Sequence, residues 1–101
     1  MENTKEINGF KIIMDEIFEL KRKKAMDYGQ TWRAFGLAGI YPLIGKKFGR
    51  IWLNKDKSET DLNFESMRDS LIDMVVYCVM CIQLMDERDT EDKIKKILEN
   101  I

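Results

Sequence analysis

Apolar residues recur every three or four positions along almost the whole chain, and no segment alternates apolar and polar residues in twos. That period belongs to helices with one buried face, so the chain is expected to fold as an all-α helical bundle. Phe10, Ile13, Met14, Ile17, Leu20 and Met26 trace the first such face, with Lys11, Asp15, Glu19, Lys21 and Arg22 between them. They predict a helix from about Thr4 to Met26, ended by Gly29. Five of the six glycines and the only proline then fall between Gly29 and Lys57, too much punctuation for one long helix. Thr31 to Phe35 makes a turn or two, and Pro42 fits the first position of a further helix carrying Leu43, Ile44, Phe48, Ile51, Trp52 and Leu53. Asn54 to Thr60 is a polar loop. Leu62 to Met85 reads as a long central helix whose second half, apolar nearly all round, is buried. Asp89-Thr-Glu-Asp92 opens a last short helix bearing Ile94, Ile97, Leu98 and Ile101. Four to five helices in one domain spanning 1–101 are expected.

A chain of 101 residues, 45% of them hydrophobic, can build a core but hides only part of its surface, which predicts a homo-oligomer. Met74, Val75, Val76, Cys78, Val79, Met80, Ile82 and Met85 point all round the central helix and mark where a second copy is expected. A net charge of −1 is no footprint for duplex nucleic acid. Cys78 and Cys81 have no His and no second Cys pair to complete a zinc site, and read as buried thiols. The longest apolar run, about a dozen residues, falls short of the roughly twenty that span a bilayer. With no signal peptide to read, the expected location is cytoplasmic, without membrane contact.

Within that run stands Asp73, the third of three carboxylates at four-residue spacing after Glu65 and Asp69. Each step of four advances the side chain by about 40°, so the three form one slowly turning stripe that Tyr77 continues. A carboxylate removed from water without a counter-charge costs several kcal/mol, and the usual solutions are a paired cation, a bound metal or a raised pKa. The first helix adds Asp15, Glu16 and Glu19, of which Glu16 and Glu19 are surface neighbours. Two acidic faces brought together would suit Mg²⁺, which favours a few carboxylates plus waters and substrate phosphates. Solvated charges pairing with Lys23 explain Glu16 and Glu19 equally well.

Opposite charge comes from Lys24, Arg33, Lys47 and Arg50, the last two about one turn apart. Arg and Lys beside a metal site are what polyphosphate binding requires, and Tyr28 and Trp32 can stack on a base. The blander alternative makes Trp32, Phe35, Phe48 and Trp52 core aromatics, and makes Arg33, Lys47 and Arg50 structural partners of Asp27 or Asp73.

Lys24-x-x-Asp27-Tyr28-Gly29, then Trp32-Arg33, Lys47-x-x-Arg50, Glu65 and Asp73-x-x-x-Tyr77 together resemble the type 1 nucleotide modification associated domain. That mostly phage and bacterial family is similar to MazG-like all-α nucleoside triphosphate pyrophosphohydrolases. The resemblance covers roughly Lys24 to Leu84. It implies an oligomeric MazG-like helical bundle that binds a nucleotide between helices and, in catalytic members, uses Mg²⁺ to split the α–β phosphoanhydride. It makes Glu16, Glu19, Glu65, Asp69 and Asp73 candidate metal ligands, with Glu19, Glu65 and Asp73 as the catalytic set. Lys24, Asp27, Tyr28, Trp32, Arg33, Lys47, Arg50 and Tyr77 become candidate substrate contacts. Glu16-x-x-Glu19 matches the enzymes' first acidic motif, but Arg68 stands where a Glu-x-x-Asp would place its Asp after Glu65. Two readings follow: a Mg²⁺-dependent pyrophosphohydrolase, or a non-catalytic binder. In a phage such a binder, acting in the host cytoplasm, would sequester a cyclic-nucleotide or nucleotide-derived defence signal.

Overall fold

The computed structural model describes residues 3–28, 30–58 and 66–101, with side chains 26–28 set aside. Among them are three helices and no strand: α1 Thr4–Tyr28, α2 Trp32–Leu53 and α3 Met67–Glu99. The chain is therefore all-α; of the five helical segments read from the sequence, the last two join in α3, and α2 spans two that a break at Gly36 separates. Two compact units are present, Met1–Thr31 and Trp32–Ile101.

The first unit is α1, close to its predicted bounds. Asn3 opens it, its side-chain oxygen accepting from the Glu6 backbone N–H at 3.2 Å while its amide donates to the Glu6 carboxylate at 3.1 Å; this satisfies a donor that the first helical turn leaves over. The expected stop at Gly29 lies outside the described residues.

The second unit is an antiparallel hairpin of α2 on α3. Trp32 to Phe35 and the segment carrying Pro42 are separate helical stretches within the α2 span, as expected, but the break between them falls at Gly36, where φ is 62° and ψ −156°. Only glycine adopts that combination readily. Pro42 sits inside α2 rather than at its start, about a turn and a half past the bend. Asn54 closes α2, its backbone N–H (3.1 Å) and side-chain amide (2.8 Å) both donating to the Arg50 carbonyl.

Helix α3 begins at Met67, where Ser66 caps it, its hydroxyl accepting from the Asp69 N–H at 3.0 Å; the expected start at Leu62 lies outside the described residues. Residues 59–65 lie outside the described residues. No break occurs at Asp89. Neither Gly nor Pro interrupts Met67–Glu99, and Thr90, read as a start signal, instead donates its hydroxyl to the Asp86 carbonyl one turn back at 3.0 Å, a bond compatible with an uninterrupted helix.

Register within the hairpin follows a simple rule: facing residues carry numbers that add to 120. Arg33 meets Glu87, Ile40 packs with Met80, Lys47 meets Asp73, and Arg50 meets Ser70. The first three layers are seven residues apart on each helix, about 10.5 Å of rise along α3. Along α3 this is the repeat of a coiled-coil seam, with a charged layer on either side of an apolar one, while on α2 the step from Arg33 to Ile40 crosses the break at Gly36. Ile40, Met80 and Cys81 form the buried centre, and Trp32, Leu37, Ile44, Val76, Tyr77 and Leu84 pack around it.

The second half of the central helix is thus buried on one face only. Leu71, Val75, Val79 and Ile82 are exposed, and so is Cys78, correcting the expectation of two buried thiols; Cys81 alone is buried. The expectation of core aromatics holds for Trp32, whereas Phe35, Phe48 and Trp52 are each more than half exposed. Phe48 and Trp52 stack on one another instead, with centroids 6.4 Å apart and planes 17° from parallel.

Candidate functional site

Asp73 has a cation for a partner. The Lys47 ammonium sits 2.9 Å from its carboxylate, and both side chains are largely withdrawn from solvent, 18% and 22% exposed. The reason is the seam: Lys47 and Asp73 occupy the layer one heptad from Ile40 and Met80, so each is aimed at the other helix. One turn further, Arg50 donates to the Ser70 hydroxyl at 2.8 Å. Ser70 is fully buried, and this bond satisfies a hydroxyl that would be costly to bury alone. Sequence reasoning missed Ser70. A small polar residue three before Asp73 on the same helix is the signal that could have found it.

At the other end of the hairpin Arg33 pairs with Glu87 and lays its guanidinium over the Trp32 ring, 4.6 Å from the centroid. Glu87 was not among the sequence candidates either, since it lies in the charged stretch after the apolar run. Between the two charged layers, Trp32, Phe35, Gly39, Ile40, Leu43 and Met80 line an apolar cavity of about 210 Å³. Gly39 is required there: a Cβ at this position would stand 2.5 Å from the Phe35 Cβ. Leu43 is one helical turn from Lys47, which places the cavity about 6 Å along α2 from that cation.

The remaining candidates divide as follows. Asp69 is exposed, and as the acidic residue in the first turn of α3 it complements the positive end of the helix dipole. Tyr77 packs against the buried centre. On α1, Glu19 bonds Arg22 at 3.0 Å and Asp15 bonds Lys11 at 2.7 Å, all exposed; Glu16 is half-buried and Lys24 exposed. Glu65 and Gly29, and the side chains of Asp27 and Tyr28, lie outside the described residues.

For Mg²⁺ the donor set is therefore incomplete within the described residues. No three of their Asp, Glu and Cys side chains converge, and the best placed carboxylate, Asp73, already holds an ammonium. Nor is any described helix long and apolar enough to cross a membrane. Burial raises the Cys81 thiol pKa, and Cys78 nearby raises it further, the reverse of what activates a nucleophilic cysteine.

A helical hairpin with an apolar pocket, lined mainly by α2, beside the layers that carry Arg33 and Lys47 defines a small all-α domain. The chain belongs to the nucleotide modification associated domain 1 family, whose match covers residues 24–85, more than half of its length. No curated protein and no solved structure matches it.

Proposed function

We propose that this chain binds a nucleotide at the α2–α3 seam, with the ligand's planar ring in the cavity and its phosphates toward Lys47 and Arg50. One observation carries the reading: the cavity lined by Trp32, Ile40, Leu43 and Met80 lies inside the matched segment, between Arg33 and Lys47. Its volume, about 210 Å³, is below the 300–1,000 Å³ usual for whole drug-sized ligands, which fits one ring with the charged portion outside. The walls are apolar, so they hold a ring by stacking and dispersion and do not read hydrogen-bonding edges. Discrimination among bases then rests on size.

Binding without hydrolysis is the reading that the Lys47–Asp73 pair favours, because an ammonium occupies the carboxylate a metal would need. On this reading the protein sequesters its ligand, a nucleotide or cyclic nucleotide. The second reading is Mg²⁺-dependent pyrophosphohydrolysis of the MazG-like kind. It requires Asp73 to leave Lys47 and join Glu65, Asp69, Glu16 and Glu19 around the ion, with Lys24, Asp27 and Tyr28 at the substrate. Mg²⁺ held there would polarise the phosphoanhydride.

The test incubates the protein with a panel of nucleotides and cyclic nucleotides, in Mg²⁺ or in chelator, removes the protein by heat, and identifies what is recovered. The expected outcome is intact ligand retained equally in chelator, at affinities within about tenfold across bases, and lost in a cavity-filling Leu43→Trp variant that melts normally. Cleavage only with Mg²⁺ establishes the second reading. Retention of no nucleotide under either condition rejects both.

A further inference from the structure

Sulfur gathers along one side of α3. Met74, Cys78, Cys81 and Met85 follow one another at steps of four, three and four residues, which on a helix keeps them within an arc of about 60°. That arc lies beside Asp73, Met80 and Glu87, the positions that face α2. Cys81, the nearest of the four to the seam, is buried; Cys78, one turn back, is exposed, and Met74 and Met85 are half-buried. Packing accounts for Cys81, which belongs to the buried centre, but does not call for a thiol at Cys78. The two thiols are near neighbours, since charge on Cys78 adds to the effect of burial on the Cys81 pKa. Residues three apart on a helix have Cβ atoms about 5–6 Å apart, whereas a disulfide needs about 3.5–4.5 Å, so joining the sulfurs directly would distort α3. An ion bonded to both sulfurs at about 2.3 Å, the length of a zinc–thiolate bond, spans that gap with the helix intact.

We propose that Cys78 and Cys81 hold a Cu(I) ion, with the Met85 thioether as its third ligand. Side chains on a helix lean over the turn N-terminal to their own Cα. Met85 therefore leans back toward Cys81, while Met74 leans away from Cys78 and stays outside the ligand set. The choice of metal follows from the donors at hand. The chain has no His, and among the described residues no Asp or Glu joins the two thiols in a group that could hold a metal, so the pair cannot complete the tetrahedral set that zinc takes. Thiolate and thioether are the soft ligands that select Cu(I). Binding exchanges the protons of both thiols for the ion and releases them to solvent, so apparent affinity rises with pH. The exposed Cys78 gives the ion its way in from solvent. The site is separate from the cavity on α2 and does not depend on the nucleotide reading.

The test titrates Cu(I) into the reduced full chain without oxygen, in competition with the chromophoric chelator bicinchoninate. It reads the copper bound per chain and the thiolate-to-copper absorption in the ultraviolet. One ion per chain is expected. Cys78→Ser, a change at an exposed position, is expected to weaken binding by more than the roughly 10–100-fold that loss of a mere supporting partner costs, with the melting temperature of the metal-free protein unchanged. Met85→Leu is expected to weaken binding about tenfold, and Met74→Leu to leave it as it was. A wild type that yields all its copper to bicinchoninate overturns the proposal, as does a Cys78→Ser chain that keeps copper as tightly as the wild type. Half an ion per chain would place the metal between two copies and overturns a site within one helix. Equal effects of the two methionine changes overturn the assignment of Met85, and tighter binding of Zn²⁺ than of Cu(I) overturns the choice of metal.

Discussion

The Lys47–Asp73 pair is the residue-scale feature on which the site turns. Exposed ion pairs contribute about 0–1 kcal/mol, and breaking a fully buried one costs about 3–5 kcal/mol. A pair about one-fifth exposed falls between them. Asp73→Ala is expected to destabilise the fold by about 1–2 kcal/mol in urea titration, because it leaves the Lys47 ammonium poorly compensated at the seam. Removing both charges together, in Lys47→Met with Asp73→Leu, is expected to cost less than the two single changes summed. Additive losses would show that the contact is not an energetic unit. The sequence alone singled out Asp73, since a charge within an apolar run is legible without coordinates. It could not choose among Arg33, Lys47 and Arg50 as the partner, because that choice depends on the register between two helices, and register is a tertiary quantity.

At the scale of elements, Gly36 and Ser66 decide where helices bend and begin. Gly36 holds φ at 62° and ψ at −156°, a region that costs a residue bearing a Cβ about 1–3 kcal/mol. Gly36→Ala is therefore expected to lower stability by that amount and to disturb Trp32 and Phe35, which lie before the bend and line the cavity. The check is a urea titration read alongside Trp fluorescence; an alanine variant as stable as the wild type, with an unchanged spectrum, would contradict it. Local signals were legible at the glycine-rich stretch. They misled at Asp89-Thr90, where residues typical of a helix start sit within a helix, because continuing α3 breaks no backbone bond and nothing in that stretch opposes it. They misled at Pro42 as well, since the break in α2 is set by the backbone at Gly36 and the proline falls within the turns that follow.

For the whole molecule, the centre formed by Ile40, Met80 and Cys81 links stability to alkaline pH. The folded Cys81 thiol has a raised pKa, chiefly because burial disfavours the thiolate. A raised acid pKa means that the folded state holds its proton more tightly than the unfolded one. The resulting stability is complete below the unfolded thiol's pKa, about 8.5, and is lost as pH rises through the folded value. Melting temperatures are expected to fall above about pH 8.5, and a Cys81→Ala variant, though less stable at neutral pH because of the cavity it opens, is expected to lack that part of the decline. Identical alkaline slopes for the two proteins would remove Cys81 from the account.

The sequence by itself determined the all-α class, the span of α1, the singular position of Asp73 and membership of the family. Each of these rests on spacing along one helix or on local motifs, which the chain carries without reference to its fold. Only the tertiary structure decided that Lys47 faces Asp73, that Arg50 faces Ser70, and that Phe48 and Trp52 lie outside the core. Two amphipathic helices can be aligned in several registers that bury similar apolar area. The one adopted here brings Arg33 to Glu87 and Lys47 to Asp73 while Ile40 meets Met80, and that agreement appears only when both helices are considered together.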